Sequence, residues 1–367
     1  MSGAPELSFW QGRKVFLTGH TGFKGSWLCL WLEALGAEVT GYALAPPTEP
    51  NLFEAAGAGR ALRESVEADV RDLPRLVAAV ADCRPSVVIH MAAQSVVRRG
   101  YSDPVETYSS NVMGTVHILE AVRRLGGPCA VVNVTSDKCY ENRESEAGYH
   151  ETDPLGGRDP YSNSKACSEL VTAAYRDSFF RAGPPIRAGI ALASARAGNV
   201  VGGGDWTENQ LVPDLVRSFR AGLPCPVRSP KAVRPWQFVL EPLRGYLSLA
   251  EKLIVDPEHF ASAWNFGPDE ADAWPVHRIA EELAKGWGHG ASWIYDDAVR
   301  LKETGILKLD HSKARLQLGW KPVLPLDKAL EWVLEWYLAF AGGADVVALS
   351  RAQVARYEAL AAGRGKV

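Results

Sequence analysis

A tyrosine and a lysine near the middle of the chain have the spacing of a proton-transfer pair. Tyr161 and Lys165 are four residues apart, and Asp159 followed by Pro160 is typical of a helix N-cap and first turn. In a helix the two side chains therefore share one face. An ordinary phenol has a pKa of about 10. A neighbouring cation favours the ionised form, so Tyr161 could act as a general base.

A second group of ionisable residues precedes this pair. Thr135-Ser136-Asp137-Lys138 comes at the end of an apolar segment that is predicted to be a strand. Ser136 could hydrogen-bond a substrate hydroxyl, a buried Asp137 could protonate a leaving hydroxyl, and Lys138 adds a third ionisable group. A solvated turn is the alternative, but the position just ahead of the tyrosine–lysine pair favours a catalytic role.

A glycine-rich loop near the N-terminus predicts a dinucleotide site. The segment GHTGFKG follows a short apolar run and precedes a predicted helix, and its expected cofactor contacts are Gly19, Thr21, Gly22, Phe23 and Gly25. Such a loop allows a tight turn and a close approach of backbone amides to a pyrophosphate. A glycine turn without a ligand is the alternative. No acidic or arginine side chain stands between Tyr42 and Ala45, where the ribose contact is expected, so these residues leave NAD and NADP open.

The segments around these motifs alternate between strand and helix patterns. Predicted strands are Lys14–Thr18, Glu38–Leu44, Ser86–Met91, Ala130–Thr135 and Ala188–Arg196, and predicted helices are Ser26–Leu35, Leu73–Asp82, Pro104–Leu125 and Pro160–Ala182. This alternation is typical of an α/β fold with a Rossmann-type, doubly wound parallel sheet. Ligands bind at the carboxyl ends of parallel strands, so we expect the motifs above to share one cleft.

The chain is long enough for two domains. After Asn199, glycine and proline interrupt the pattern, which predicts a smaller, irregular α/β domain. A helix at Leu240–Leu253 is expected to return to the first domain, and an amphipathic helix is expected at Leu326–Ala341. We therefore assign residues 1–196 and about 239–262 to a dinucleotide-binding domain, and residues 197–238 and about 263–360 to a substrate-binding domain.

Several further residues are candidate ligand contacts. Ala92 and Ala93 follow another predicted strand and are expected to line the cofactor pocket. The candidate substrate contacts are Gln94, Asn199, Trp206, Arg228, Arg234 and Trp236. Guanidinium groups suit a pyrophosphate, and indole rings can stack on a base. A solvated arginine or a tryptophan of the core is the alternative in each case.

Composition limits the classes of partner. Hydrophobic residues make up 47% and charged residues 23% of the 367 residues, and the net charge is -3, so no nucleic-acid or anionic membrane surface is expected. No signal-peptide pattern and no apolar run of about 20 residues occurs, which predicts a cytoplasmic protein. The six cysteines lack paired spacing, so we predict thiols and neither a disulfide framework nor a metal site.

Four stretches resemble the extended short-chain dehydrogenase/reductase family, and within it the sugar-nucleotide dehydratase group. They are VFLTGHTGFKGSW (15–27), VNVTSDKCYENR (132–143), SARAGNVVGGGDW (194–206) and VRPWQ (233–237), and the resemblance extends from about Phe9 to Tyr337. It implies NAD as cofactor, adenine contacts at Asp69 and Val70, and a supporting role for Asn111. It also implies a homodimer or a dimer of dimers, formed by the two long helices Pro104–Leu125 and Pro160–Ala182.

The resemblance further implies an elimination reaction on a nucleotide sugar. Most of the group has glutamate where Lys138 stands, whereas the members that act on CDP-glucose have lysine, so CDP-glucose is the expected substrate. Oxidation at C4, loss of water across C5–C6 and hydride return to C6 would regenerate NAD. A 4-epimerase or reductase of the same fold and a non-catalytic dinucleotide sensor are the alternatives. Related sequences have a basic residue at Gln210 and histidine at Phe238, and both positions are expected to border the nucleotide pocket.

Overall fold

The computed structural model describes residues 4–180, 189–297 and 306–363. In these ranges the strands are β1 (Lys14–Thr18), β2 (Glu38–Ala43), β3 (Glu64–Glu67), β4 (Val87–His90), β5 (Cys129–Val134), β6 (Ile190–Ala197), β7 (Asn199–Val201), β8 (Cys225–Val227), β9 (Val233–Phe238), β10 (Ala263–Phe266), β11 (Ala273–Pro275) and β12 (Trp293–Tyr295). The predicted strand Ala188–Arg196 corresponds to β6. Its first residue, 188, lies outside the described residues.

The helices cover both faces of the main sheet and the smaller part of the molecule. They are α1 (Leu7–Trp10), α2 (Phe23–Ala34), α3 (Leu52–Ala55), α4 (Leu73–Cys83), α5 (Val97–Ser102), α6 (Pro104–Tyr108), α7 (Gly114–Leu125), α8 (Pro160–Tyr175), α9 (Leu211–Arg220), α10 (Leu240–Val255), α11 (Pro257–Phe260), α12 (Val276–Trp287), α13 (Leu326–Ala341) and α14 (Val346–Ala361).

Seven strands form one sheet in the order β10-β6-β5-β4-β1-β2-β3. All six pairings are parallel. The strand order reverses between β1 and β4, which creates the crevice where doubly wound sheets bind ligands. This confirms the predicted Rossmann-type fold.

The sheet separates two apolar layers. Val15 and Leu17 of β1 face a core shared with α2 and α10, whereas Phe16 faces the opposite core, which α4 and α7 complete. Successive side chains of a strand point to opposite faces, and here both faces are covered. This double burial is the reason why the strands are continuously apolar in sequence.

The register brings the carboxyl ends of the central strands to one level. Thr18 pairs with His90, and His90 pairs with Asn133. The Thr18 hydroxyl also hydrogen-bonds the His90 ring at 2.7 Å and accepts the amides of Met91 and Ala92 at 3.1 Å. The loops that follow β1, β4 and β5 are therefore held side by side.

Two predicted helices differ in detail from the structure. The segment Pro104–Leu125 is helical throughout, but a π-helical turn at Ser109–Met113 separates α6 from α7. Helix α8 continues as a π-helical turn, Arg176–Phe180. The last two residues of the predicted helix, 181 and 182, lie outside the described residues.

The remaining elements form the smaller part of the molecule. Strands β11, β9 and β7 form one sheet and β12 pairs with β8, next to α9, α12 and α13. Strand β10, in contrast, lies at the edge of the main sheet, so the sheet continues beyond the assigned boundary at residue 262. Helix α14 packs on α2 and α13, where Trp31 donates a 2.8 Å hydrogen bond to Glu358.

Candidate active site

A cleft of about 980 Å³ opens at the carboxyl ends of the sheet strands. Its wall contains every predicted catalytic and cofactor-binding residue, together with Gln94, Asn199, Trp206 and Trp236. A smaller adjoining lobe of about 230 Å³ is lined by Arg228 and Arg234 and shares Asp137 and Lys138 with the main cleft. Residues far apart in sequence therefore meet at one place.

Two glycines of the glycine loop are packed so tightly that a side chain would not fit. Gly19 has φ +77°, and a Cβ there would lie 2.8 Å from the amide nitrogen of Ala92. A Cβ on Gly25 would lie 2.1 Å from the carbonyl oxygen of Gly19. Helix α2 starts at this loop, and its N-cap residue Gly22 makes no side-chain cap. The free helix start and the bare backbone facing the cleft fit the pyrophosphate of a dinucleotide.

Tyr161 and Lys165 lie one turn apart at the start of α8. The helix begins as predicted, because the Asp159 side chain accepts the Ser162 amide at 2.9 Å and Pro160 occupies the first turn. Both Tyr161 and Lys165 are buried. Burial raises the pKa of Tyr161, and a hydrogen bond with Ser136 opposes this increase.

The charge of Lys165 is also affected by its surroundings. Burial lowers the pKa of Lys165 to about 8, while Glu169, one turn further along the helix, acts in the opposite direction. The Lys165 ammonium also lies 3.4 Å from the carbonyl oxygen of Val134. The neighbouring ammonium favours the phenolate form of Tyr161, as expected from the sequence. Desolvation opposes this effect, because it favours the neutral forms of both groups.

The turn after β5 places three polar groups against the cleft. Ser136 donates a hydrogen bond of 2.9 Å to Asp137, and the Asp137 side chain is buried. A Cβ on Gly198 would lie 3.0 Å from Asp137 Oδ2, so glycine at this position leaves room for the carboxylate. Lys138 is half-buried and lines both lobes of the cleft. The turn can thus present an acid and a base to one ligand.

Asn111 connects the β4 loop to the catalytic helix. Its side chain accepts the Gln94 amide at 2.8 Å, and it donates to the Gln94 carbonyl oxygen at 3.0 Å and to Ser164 at 2.8 Å. The Gln94 side chain in turn bonds Thr107 and Val96 at 2.9 and 2.6 Å. Gln94 therefore lines the cleft with an amide that already holds the loop in place.

Three other predicted contacts are engaged within the protein. Asp69 is bound by Arg71 through hydrogen bonds of 2.5 to 3.0 Å. The Trp206 ring packs edge-on against Tyr337, and Trp236 donates a 3.3 Å hydrogen bond to the Trp274 carbonyl oxygen. Both indole rings line the cleft but are almost completely buried, as the packing alternative requires.

The two positions that differ from related sequences are placed differently. Gln210 lines both lobes, and its place beside the nucleotide stays a prediction. Phe238 is fully buried and packs edge-on against Trp27 and Trp332. The expectation that Phe238 borders the nucleotide pocket is wrong, because strand β9 turns this side chain into the core.

Two residues without a sequence assignment also line the cleft. Lys24 of the glycine loop donates a 3.0 Å hydrogen bond to the Tyr246 hydroxyl, and burial together with Lys165 lowers the pKa of Lys24 to about 8. Glu49, in the loop after β2, is exposed in the cleft wall. Neither periodicity nor motif spacing identifies Glu49, because it lies six residues past the end of β2, in a loop that is neither strand nor helix.

The part of the chain that the structure describes also bears on metal binding, membrane insertion and cysteine chemistry. No group of three His, Cys, Asp or Glu side chains there is arranged to hold a metal ion. None of the described helices combines the length and the apolar character that a bilayer crossing needs. The six cysteines are free thiols, and all but Cys167 are buried.

Sequence comparison identifies the family. Residues 16–332 match the family described as GDP-mannose 4,6 dehydratase, and the chain belongs to this family of nucleotide-sugar dehydratases. It is 50% identical to the CDP-glucose 4,6-dehydratase of Salmonella typhimurium over 96% of this chain and 98% of that protein. It is 24% identical to the dTDP-glucose 4,6-dehydratase of Neisseria meningitidis over 89% and 93% of the two chains. The predicted resemblance to the dehydratase group is confirmed.

Solved structures share the same fold. A dTDP-glucose 4,6-dehydratase from Streptomyces venezuelae, solved with NAD, has a TM-score of 0.75 at 23% identity and covers 91% of this chain and 99% of its own. A UDP-glucose 4-epimerase from Thermotoga maritima has a TM-score of 0.76 at 20% identity, with 89% and 99% covered. Dehydratases and epimerases thus have one architecture, so their reactions must be distinguished by the site.

Proposed function

We propose that the protein is an NAD-dependent hydro-lyase that converts CDP-glucose to CDP-4-keto-6-deoxyglucose. The observation that carries the proposal is the placement of Asp137 and Lys138 in the same cleft as Tyr161 and Lys165. Epimerisation or reduction at C4 requires only the tyrosine–lysine pair, whereas elimination across C5–C6 requires a further acid and base. The 50% identity to the Salmonella typhimurium enzyme supports this reaction and this substrate.

The glycine loop and the start of α2 would hold the pyrophosphate of NAD, with Ala92 and Ala93 along the cofactor and Asp69 and Val70 at the adenine. When bound, NAD supplies a reversible hydride acceptor for the sugar C4 and a hydride donor for C6. The residues of this chain contribute the proton transfers and the orientation of the sugar.

Tyr161 removes the proton of the C4 hydroxyl as this carbon is oxidised. Its phenol is buried, so the phenolate needs a neighbouring cation, which Lys165 provides one turn away. Ser136 lies within hydrogen-bonding reach of the phenol and orients the C4 oxygen. The ketone formed at C4 acidifies the C5 proton and prepares the elimination.

Asp137 and Lys138 complete the loss of water. Lys138, in its unprotonated form, removes the C5 proton, and the buried carboxyl of Asp137 protonates the C6 hydroxyl as it leaves. After hydride has returned to C6, Lys138 gives its proton back to C5. The sum of these steps removes one water and consumes no oxidant.

The smaller lobe would hold the nucleotide. Arg228 and Arg234 line it, and their guanidinium groups suit the substrate pyrophosphate. Asn199 of β7 lies between the two lobes, where it can contact the sugar. Trp206 and Trp236 contribute the edge of a packed aromatic wall, and base stacking on them remains a prediction.

A homodimer in the cytoplasm is part of the same proposal. The two long segments expected to pair, Pro104–Leu125 and α8, carry exposed apolar side chains. These are Val105, Tyr108, Met113 and Leu170. Burial of this face against a second copy removes apolar surface from water. Free thiols are typical of proteins from a reducing compartment.

The proposal is tested with purified protein and NAD+ incubated separately with CDP-, dTDP-, GDP- and UDP-hexoses. Loss of one water from CDP-glucose alone, detected by mass spectrometry, is the expected result. Water loss from another nucleotide sugar would support the elimination mechanism but show that the assignment of CDP-glucose as substrate is wrong. An unchanged mass with every donor, followed by inversion at C4 in NMR spectra, would identify an epimerase, and NAD+ binding without either change would identify a sensor.

A further inference from the structure

A buried ion pair lies directly behind the catalytic turn. Arg196 of β6 contacts Glu169 of α8 at 2.8 Å, and the two side chains are only 4% and 3% exposed. Removing two charges from water offsets most of their attraction, so a buried ion pair is weak as a source of stability. Its position between the sheet and the catalytic helix suggests a role in the reaction.

Glu169 connects the strand that ends in the catalytic turn to the helix that carries Tyr161. One carboxylate oxygen accepts the Thr135 hydroxyl at 2.5 Å, and the other accepts Ser194 at 2.7 Å as well as Arg196. Thr135 immediately precedes Ser136, and its amide bonds Ala195 at 2.9 Å. A movement of Glu169 would therefore displace Ser136 and Asp137 relative to the tyrosine.

Arg196 extends the connection to the opposite side of the turn. It donates to the Tyr140 hydroxyl at 2.7 Å and to the Glu151 carbonyl oxygen at 3.1 Å. Tyr140 in turn donates to Asn265 of β10 at 2.8 Å. Both flanks of the Ser136-Asp137-Lys138 turn are thus tied to the same ion pair, through Thr135 on one side and Tyr140 on the other.

Glu169 also affects the charge of Lys165, which lies one turn before it. The ionisable groups around Lys165 come from four elements: Lys24 of α2, His90 of β4, Asp137 and Cys139 of the turn after β5, and Tyr161 and Glu169 of α8. Lys24 repels the ammonium and His90 is buried, and of the two groups that raise the pKa of Lys165, Glu169 has the larger effect and Cys139 the smaller. Glu169 is therefore the carboxylate on the same helix that favours the ammonium form.

We propose that Glu169 is a positioning residue, which fixes the catalytic turn through Thr135 and keeps Lys165 protonated beside Tyr161. This proposal rests on the proposed dehydratase function, since it assigns Glu169 a role in that reaction. Arg196 holds the carboxylate in its ionised form, and the ion pair thereby connects the geometry of the acid and base to the charge of the lysine.

The test compares Glu169→Gln with Glu169→Asp, which retains the charge. The first readout is the pH dependence of kcat/KM. Without the carboxylate Lys165 loses its proton more readily, so the alkaline limb of the profile should move by about one pH unit toward acid in Glu169→Gln and stay in place in Glu169→Asp. A merely structural role would lower the rate without moving the limb.

The second readout needs no substrate and no cofactor. Competitive acetylation of the ligand-free protein with acetic anhydride, followed by peptide mass spectrometry, measures the proton affinity of Lys165, with the exposed Lys285 as internal reference. The Lys165 midpoint should fall in Glu169→Gln and remain in Glu169→Asp. This readout is independent of the proposed function, so an inactive wild type would leave it interpretable.

The unpaired Arg196 in Glu169→Gln is buried, and the variant could unfold for that reason alone. The double variant Glu169→Gln/Arg196→Gln removes both charges and keeps the comparison possible. Its Lys165 midpoint should also lie below that of the wild type. A midpoint equal to the wild-type value in either folded variant overturns the proposal.

Discussion

The Ser136 hydroxyl donates a 2.9 Å hydrogen bond to Asp137, its own neighbour in the turn after β5. This bond orients a buried carboxyl toward the cleft while Lys138, the next residue, lines the same cavity. Acid and base are therefore presented by consecutive residues of one short turn, and the two roles can be separated by experiment.

We expect Asp137→Asn and Lys138→Ala to stall at different stages. Both should lower water loss by about a hundredfold or more, the usual effect of removing a general acid or base. In deuterium oxide, Asp137→Asn should still exchange the C5 hydrogen of the 4-keto intermediate, because Lys138 remains. Lys138→Ala should accumulate the 4-keto sugar without exchange. Full product at the normal rate from Lys138→Ala would show that another group is the C5 base.

Gly25→Ala and Gly22→Ala should separate loop stability from cofactor binding. A Cβ at Gly25 would lie 2.1 Å from the carbonyl oxygen of Gly19, whereas a Cβ at Gly22 would lie 3.4 Å from the same oxygen. We expect Gly25→Ala to destabilise the ligand-free protein by about 1–3 kcal/mol, as overpacking does, and Gly22→Ala to leave the unfolding midpoint unchanged. Both should weaken NAD+ binding in a fluorescence titration, since the backbone approaches the pyrophosphate here. Equal stability of the two variants would contradict the tight packing.

The stability of the protein should fall on the acid side because of His90. Burial, together with the charge of Lys165, lowers the pKa of His90 from 6.5 to about 3. Below the unfolded value the unfolded chain binds a proton that the folded chain does not, so stability is lost as the pH falls. Between about pH 7 and about pH 5 the wild type should lose about 2 kcal/mol more than His90→Gln in urea unfolding. The exposed His259→Gln serves as control and should follow the wild type.

Dimerisation through α8 predicts opposite results for two equally exposed leucines. Leu170 is 59% exposed on α8, and Leu223 is 61% exposed after α9. We expect Leu170→Glu to shift the protein toward monomer in light scattering, because a carboxylate would be buried in the interface. Leu223→Glu should leave the molar mass of the assembly, measured by light scattering, at the wild-type value. A dimer that tolerates Leu170→Glu would require a different interface.

Glu49 should favour NAD over NADP. Its exposed carboxylate lies in the cleft wall, in the loop that follows β2, where it would repel a 2'-phosphate. Glu49→Gln should raise the affinity for NADP+ relative to NAD+ by about fivefold, the effect of roughly 1 kcal/mol between two exposed charges. Fluorescence titrations with both dinucleotides measure this ratio. An unchanged ratio would place the selectivity elsewhere.

The sequence alone determined the elements whose information is local. Strand β1 (Lys14–Thr18) and helix α13 (Leu326–Ala341) have the predicted bounds, because strand and helix periodicity is a property of neighbouring residues. The glycine loop and the Tyr161–Lys165 spacing are likewise short motifs, and the alternation of strands and helices leads to the parallel sheet.

Only the tertiary structure decided how distant segments meet. It placed Phe238 in the core, β10 in the main sheet and Glu49 in the cleft. It also brought Glu169 of a helix to Arg196 of a strand 27 residues later. Such contacts depend on the course of the loops and on the packing of whole layers, and the pattern of neighbouring residues does not encode them.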